Sequence, residues 1–315
     1  MTIDKPGLYP DVPEAAYHAD PVGPAPSLSA SIAKLLVQRS PRHAAYNHPR
    51  LNPDWSAGDR EPSRAMEIGT AAHKVILGKG AAIDVLPFDD FRKKEAQQRR
   101  DAARAAGRTP ILADDMESVT LLAEAARDQL ATSSLAGYFD APGQSEVTMV
   151  WRGPAGIWLR GRIDRLPAAA LEGGHVVIAD LKTTAGSAHP DDWQSVAFEK
   201  AYDVQADLYP RGLKTLIPAI RSVEFKFAVL EQQPPYGLSV VEFSGQAVEE
   251  AAQLVDLAMK MWAACIKRGE WPGYEEAIVD PPQWRSMRAE LRRLAMLNRL
   301  ADWQRPLELE GARNA

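Results

Sequence analysis

The chain has 315 residues, with 37 Lys and Arg against 42 Asp and Glu and a formal charge of -5 at pH 7. Hydrophobic residues make up 45% and charged ones 25%, so the composition is that of an ordinary globular protein long enough for two domains, or one large core with appendages. The single cysteine, Cys265, excludes an internal disulfide, a cysteine zinc finger and a four-cysteine iron–sulphur cluster.

No window approaches the ~18 unbroken apolar residues of a membrane span, and no secretory-type apolar stretch opens the chain, so a cytoplasmic protein is expected. Residues 1–26 hold six prolines and predict an arm that is either extended over the surface or mobile. From Ser27 the pattern predicts a short helix capped by Ser29 or Ser31, then a helical turn from Pro41 through Tyr46. A stronger helix is predicted over 64–77, with Ser63 as N-cap. A polar helix over 91–107, a break at Thr109-Pro110 and a helix over 114–131 with Leu121, Leu122, Ala125 and Leu130 inward follow.

After Ser133 the periodicity changes. GQSEVTMVWRG, GIWLRGRIDRLP and GHVVIADLKTT read as strands bounded by glycine and proline. One helix is expected over 191–217, then strands VEFKFAVLEQ and GLSVVEFS, a helix over 246–268 and a basic amphipathic helix from Pro282. The fold class is α+β: a helical N-terminal part, a central mixed sheet of about five strands, and flanking helices. The domain reading is an arm 1–26, a body 27–280 (helical to 132, sheet core from 133) and a C-terminal basic helix and tail 281–315.

The stretch 160–182 carries the chemistry. A hairpin turning at Leu171-Glu172-Gly173-Gly174 makes Asp164 and Asp180 cross-strand neighbours, and Lys182 shares a face with Asp180. Two close carboxylates resist ionisation unless a cation lies between them, and oxygen ligands favour a hard ion such as Mg²⁺. A neighbouring lysine can orient or deprotonate water, or offset developing phosphate charge. An Asp–Lys pair two apart on a strand is commonly a solvated pair. Here it follows VVIA, a run with the look of a buried strand, where charge is costly.

GRID (161–164) followed by IADLKTT (178–184) resembles the PD-(D/E)XK nuclease motif, particularly of the RecE (exonuclease VIII) and RecB-type branch. YHAD (17–20), LSASIAKLL (28–36) with SPRH (40–43), EIGTAAHKVILG (67–78), EVTMVW (146–151) and AYDVQADLY (201–209) are similar to its further signatures, in the same order. So are the segment 91–112 and the WPGY (271–274) and PPQW (281–284) elements. The resemblance implies a PD-(D/E)XK nuclease core and Mg²⁺ or Mn²⁺ as cofactor, with no nucleotide. It implies Asp164, Asp180 and the Leu181 carbonyl as metal ligands, with His73 as a further ligand or phosphate contact and Glu146 as either a metal-reaching acid or a strand-edge one. Lys182 would position or activate water, Gln205 would orient the lysine or phosphate, and Tyr209 lies one helical turn beyond. The implied activity is 5′→3′ degradation of linear duplex DNA in recombination, in a phage or bacterial setting, by a homo-oligomer working with a single-strand annealing protein. A RecB-like endonuclease or helicase-linked nuclease module, and a non-catalytic DNA-end-binding subunit, stand as alternatives.

The acidic total speaks against nucleic acid, but phosphate contact depends on local faces. Arg92, Lys93, Lys94, Arg99, Arg100, Arg104 and Arg108 face only Glu95 and Asp101 within 92–108, and this helix is the expected DNA contact. No base-reading motif is present, so recognition of DNA ends or single strands without sequence preference is expected. Trp262, Trp271 and Trp284 are expected in packing, Cys265 as a buried small hydrophobe, and His18, His43, His48, His175 and His189 without a role.

Overall fold

The computed structural model describes residues 2–55 and 62–304, which form two compact units, Met1–Gly273 and Tyr274–Ala315. In chain order the first unit runs β1 (Gly7–Tyr9), α1 (Glu14–His18), β2 (Leu28–Ser29), α2 (Ala30–Gln38), α3 (Pro41–Asn47), α4 (Arg64–Leu77), β3 (Ile83–Leu86), α5 (Lys94–Ala105), β4 (Thr109–Leu112) and α6 (Ala113–Leu130). It continues through β5 (Gly143–Arg152), β6 (Trp158–Pro167), β7 (His175–Thr184), α7 (Pro190–Glu199), α8 (Tyr202–Leu216), β8 (Ser222–Glu231), β9 (Leu238–Glu242) and α9 (Gly245–Arg268). The second unit holds α10 (Gln283–Gln304).

The expected α+β class holds. Five long strands and two short ones make one mixed sheet in the order β1-β5-β6-β7-β8-β9, with β2 on β6. The strands alternate as a half-buried sheet demands. Ile178, Phe225, Phe227 and Val229 pack with Leu208 and Leu213 of α8, Val255 and Trp262 of α9, and Ile32 and Leu36 of α2. On the other side Ala179, Leu181 and Ala228 meet Leu130 and Leu135, and Leu230 meets Ala71 and Ala72 of α4 and Leu122 of α6. Because Ala179 and Leu181 belong to the α6 side, Asp180 and Lys182 point to the α8 side.

The join between β6 and β7 is the weakest in the sheet. β5 occupies one edge of β6 along its whole length, whereas the other edge is shared by β2, at Leu159 and Arg160, and β7, paired at Arg165↔Ala179. That register sets Asp164 opposite Asp180, as the turn at 171–174 predicts. Tyr138 fills the seam. Its hydroxyl lies 2.7 Å from the Arg165 carbonyl and 3.1 Å from that of Val177, and accepts the Ala179 N–H at 3.1 Å. β7 and β8 are parallel over ten residue pairs, with α7 and α8 as the crossover.

Helix starts follow their side chains. Ser29, Ser63 and Ser244 each accept the backbone N–H three residues on. Several expectations are corrected. The proline-rich stretch is no surface arm: β1 pairs with β5, and Ile3, Val12, Tyr17 and Val22 are buried with Val150 and Trp158. Its prolines break regular structure without preventing short apolar anchors. Thr109-Pro110 opens β4, which pairs in parallel with β3 in a separate two-stranded sheet. The helix expected over 191–217 is two, because Ala201 takes a left-handed conformation (φ 47°) between α7 and α8. Leu121 faces outward at 47% exposure, while Leu122 and Leu130 are buried. Trp262 is buried against Trp271, but Trp284 is exposed on α10.

His48, expected without a role, anchors a buried polar network. Asp20 accepts the Ser27 N–H (2.9 Å) and hydroxyl (2.6 Å), and Arg160 stands 3.0 Å and His48 3.3 Å from its carboxylate. Burial would raise the Asp20 carboxyl; the His48 contact, the Arg160 charge and the Ser27 bonds outweigh it and bring it down to about 2. The network ties the 20–27 segment to β6.

Candidate metal and phosphate site

Four chain segments meet where β6 and β7 part. α4 approaches β7 so closely at Gly69 that a Cβ there would lie 2.6 Å from the Thr183 hydroxyl. Gln232, buried at the end of β8, secures the contact by donating to the Ala65 carbonyl (2.8 Å) and the Thr183 hydroxyl (3.1 Å). One helical turn beyond Gly69, His73 therefore sits over Leu181. Its Nε2 lies 2.6 Å from the Leu181 carbonyl, which can only accept, so Nε2 carries the proton. Nδ1 is left with its lone pair toward Asp164 Oδ2, 3.9 Å away.

Asp164 is fixed by the Leu181 N–H, which donates to Oδ2 at 2.8 Å. Ser145 pairs with Arg165 and Val147 with Ile163, so Glu146 stands opposite Asp164 on β5. Glu146 has φ 56°, a left-handed conformation that is costly for a side-chain-bearing residue and gathers at functional sites. Arg162 Nε steadies its carboxylate at 3.3 Å. One ligand atom each from His73, Glu146 and Asp164 lies within 4.8 Å of the others. Burial first, then the neighbouring Asp180, holds the Asp164 carboxyl well above the usual range. Burial also raises Glu146 and, with the Lys182 charge, lowers His73, so the imidazole is neutral and able to ligate. A neutral histidine beside two carboxylates that oppose each other's ionisation fits a divalent cation.

On the α8 side, Asp180 is held by the Lys182 ammonium and by the Gln205 side-chain amide, and Lys182 also donates to Gln205 Oε1 at 3.4 Å. Burial would lower Lys182, but Asp180 and Asp164 outweigh it and raise its pKa. Lys182 is thus a fixed cation rather than a base in this arrangement. Tyr209 is buried behind β6: its ring packs on Gly161, where a Cβ would come within 2.9 Å, and its hydroxyl bonds that of Tyr17. The Leu181 carbonyl, an expected metal ligand, meets His73 here with one lone pair remaining.

A cleft of about 460 Å³ opens over the cluster, lined by His73, Glu146, Arg162 and Lys182 and by Glu14, Tyr17 and His18 of the N-terminal segment. The basic helix is partly spent internally. Arg104 bonds Glu67 (2.9 Å) and the Pro62 carbonyl (3.1 Å), joining α5 to α4, and Arg100 pairs with Asp101. Arg92, Lys93, Lys94 and Arg99 are exposed. Tyr138, Gln232, Arg162 and Tyr202 escape a reading of the sequence. Gln232 alone leaves a trace, as a polar residue closing the apolar run FKFAVLEQ.

A mixed sheet that parts beside a carboxylate pair and a lysine defines a PD-(D/E)XK-like fold. The chain belongs to the family described as PDDEXK-like domain of unknown function (DUF3799), whose model matches residues 29–279. No curated protein matches the sequence. Among solved structures it is similar to a putative exonuclease from Eubacterium rectale, at 14% identity and a TM-score of 0.52, covering 88% of this chain and 96% of that one. A phage-related exonuclease from Haemophilus somnus 129PT matches at 12% identity and a TM-score of 0.30, over 78% of this chain and 96% of that one. No helix among the described residues is long and apolar enough to cross a membrane.

Proposed function

We propose that this protein is a deoxyribonuclease dependent on Mg²⁺ or Mn²⁺, acting as an exonuclease on linear duplex DNA. One observation carries the reading: Asp164, Asp180 and Lys182 converge at the β6–β7 seam with His73 and Glu146 beside them. His73, Glu146 and Asp164 would hold the cation, with Asp180 and the Leu181 carbonyl within the same cluster. A divalent cation bound there supplies Lewis-acid polarisation of a phosphate and lowers the pKa of water. Lys182, kept charged by Asp180 and Asp164, faces negative charge that builds on the phosphoryl oxygens. Gln205 holds Lys182 and Asp180 in one orientation. Tyr209 supports β6 through Gly161 and acts on the site through that strand. The exposed Arg92, Lys93, Lys94 and Arg99 serve as a DNA-contacting face, without Arg100 and Arg104. The 5′→3′ polarity, the recombination role, the homo-oligomer and the annealing partner extend this reading on the sequence resemblance alone.

The test is incubation of purified protein with linear and closed circular duplex DNA, with Mg²⁺, Mn²⁺ or chelator. Degradation confined to linear DNA and abolished by chelator is the expected result, and cutting of closed circles would make the protein an endonuclease. Lys182→Ala should lower the rate on the order of 10²–10⁴-fold without loss of fold. Full activity in that variant removes Lys182 from the site.

A further inference from the structure

A second lysine approaches the site from a different element. Lys34 projects from α2 with its ammonium 4.5 Å from the centre of the Tyr202 ring, and Lys182 lies 4.9 Å from that same centre. The distance between the two cations is therefore bounded by the sum of these contacts. The ring is a fixed platform: Trp193 stacks on it at 5.8 Å with an interplanar angle of 19°, and Phe227 packs at 5.8 Å. The two lysines stand differently toward anions. Lys182 has Asp180 and Gln205 as partners. Among the described residues, no carboxylate lies within ion-pair reach of Lys34 and no oxygen accepts its protons.

An ammonium has three donors, and the face of a ring meets charge without using them as hydrogen bonds. Lys34 is half-buried and stands near a like charge, at Lys182, so its charged form is disfavoured as it stands. Lys200 adds a second like charge, and Asp180 and Asp203 are the acids that oppose them. Burial and the Lys182 charge bring Lys34 down to about 8. A phosphate reaching over Tyr202 would accept from the Lys34 ammonium and screen the two lysines from each other. Along one DNA strand a charge recurs about every 3.4 Å of rise, so a strand whose scissile phosphate faces Lys182 can present a neighbour to Lys34.

We propose that Lys34 contacts a backbone phosphate of the bound strand next to the one that faces Lys182, with Tyr202 as the shared platform. The inference rests on the nuclease reading for the place of the scissile phosphate. The alternative is a lysine that only braces Tyr202.

The test measures binding of a labelled oligonucleotide to full-length protein across a range of salt, with Ca²⁺ in place of Mg²⁺. For Lys34→Gln the slope of log K against log salt should fall by about 0.7–0.9, one phosphate contact, and affinity should drop roughly tenfold. Lys34→Arg should restore both. A slope unchanged in Lys34→Gln, with only a lower unfolding midpoint, would leave the bracing role and overturn the proposal. Acylation of lysines in the unmodified protein, read by mass spectrometry, gives a second measure independent of variant folding. Lys34 should be protected by the oligonucleotide, and equal labelling with and without it overturns the contact. If the protein binds with these changes but cleaves no DNA in Mg²⁺ or Mn²⁺, the nuclease reading fails, and Lys34 keeps a phosphate contact with no scissile phosphate beside it. If it cleaves while slope and labelling stay unchanged, Lys34 fails alone.

Discussion

Asp20 and Asp164 are both aspartates withdrawn from water, both near arginine, lysine or histidine, and they have opposite electrostatic fates. Around Asp20, Ser27, Arg160 and His48 supply donors to both carboxylate oxygens, and the charge is more comfortable there than in water. Around Asp164, one backbone N–H donates, while Asp180 and Glu146 add like charge to the cost of burial. In the first cluster both carboxylate oxygens find donors within the protein. The second is left short of positive charge within the protein. A charge cluster with every lone pair answered holds a fold together, and one left short of positive charge is available for binding.

The largest test of that contrast removes the answered charge. Asp20→Asn leaves Arg160 without its buried counter-ion and should cost about 3–5 kcal/mol, seen as a lower denaturant midpoint. A loss under about 1 kcal/mol would show that the network does not anchor the 20–27 segment. A smaller effect comes from acid. With the Asp20 carboxyl at about 2 in the fold against 3.8 ordinarily, ionisation favours the folded state above pH 4. That contribution, about 2 kcal/mol, fades as pH falls from about 4 to about 2. Stability curves of native protein and Asp20→Asn should therefore converge over that window; parallel curves would refute the assignment. The smallest effect has the opposite sign. Asp164→Asn keeps an acceptor for the Leu181 N–H while removing a repelling charge, and should stabilise the metal-free protein by about 1 kcal/mol at neutral pH. Mn²⁺ should raise the thermal midpoint of the native protein and not of this variant. A destabilised variant, or one that still responds to Mn²⁺, would end the parallel.

Much of the site is legible from local rules. The turn at Leu171–Gly174 and the two-residue strand period are enough to oppose Asp164 to Asp180 and align Lys182. Gly69 and His73, four apart on a helix, foretell a close approach whose measure only the fold gives. What stays hidden depends on distant partners. Arg104 looks like a DNA contact until Glu67, 37 residues away, claims it. Tyr138 lies between strands that follow it in sequence, and nothing local marks its hydroxyl for them. Ala201 adopts a conformation that glycine would have announced. Lys34 is one lysine among many until α2 is seen beside α8.

The seam that Tyr138 fills has a mechanical meaning. β1, β2, β5 and β6 form one half of the sheet and β7, β8 and β9 the other, and a single residue pair, the Tyr138 phenol and the Leu181 N–H bond to Asp164 rivet them together. Each half keeps its own ladders, while α8 packs on β5 and β6 of one and β8 of the other and so spans the join. His73 and Lys182 ride with one half, Asp164 and Glu146 with the other. Slow exchange of amides within each half, with faster exchange at Ala179, would mark the line along which this molecule gives.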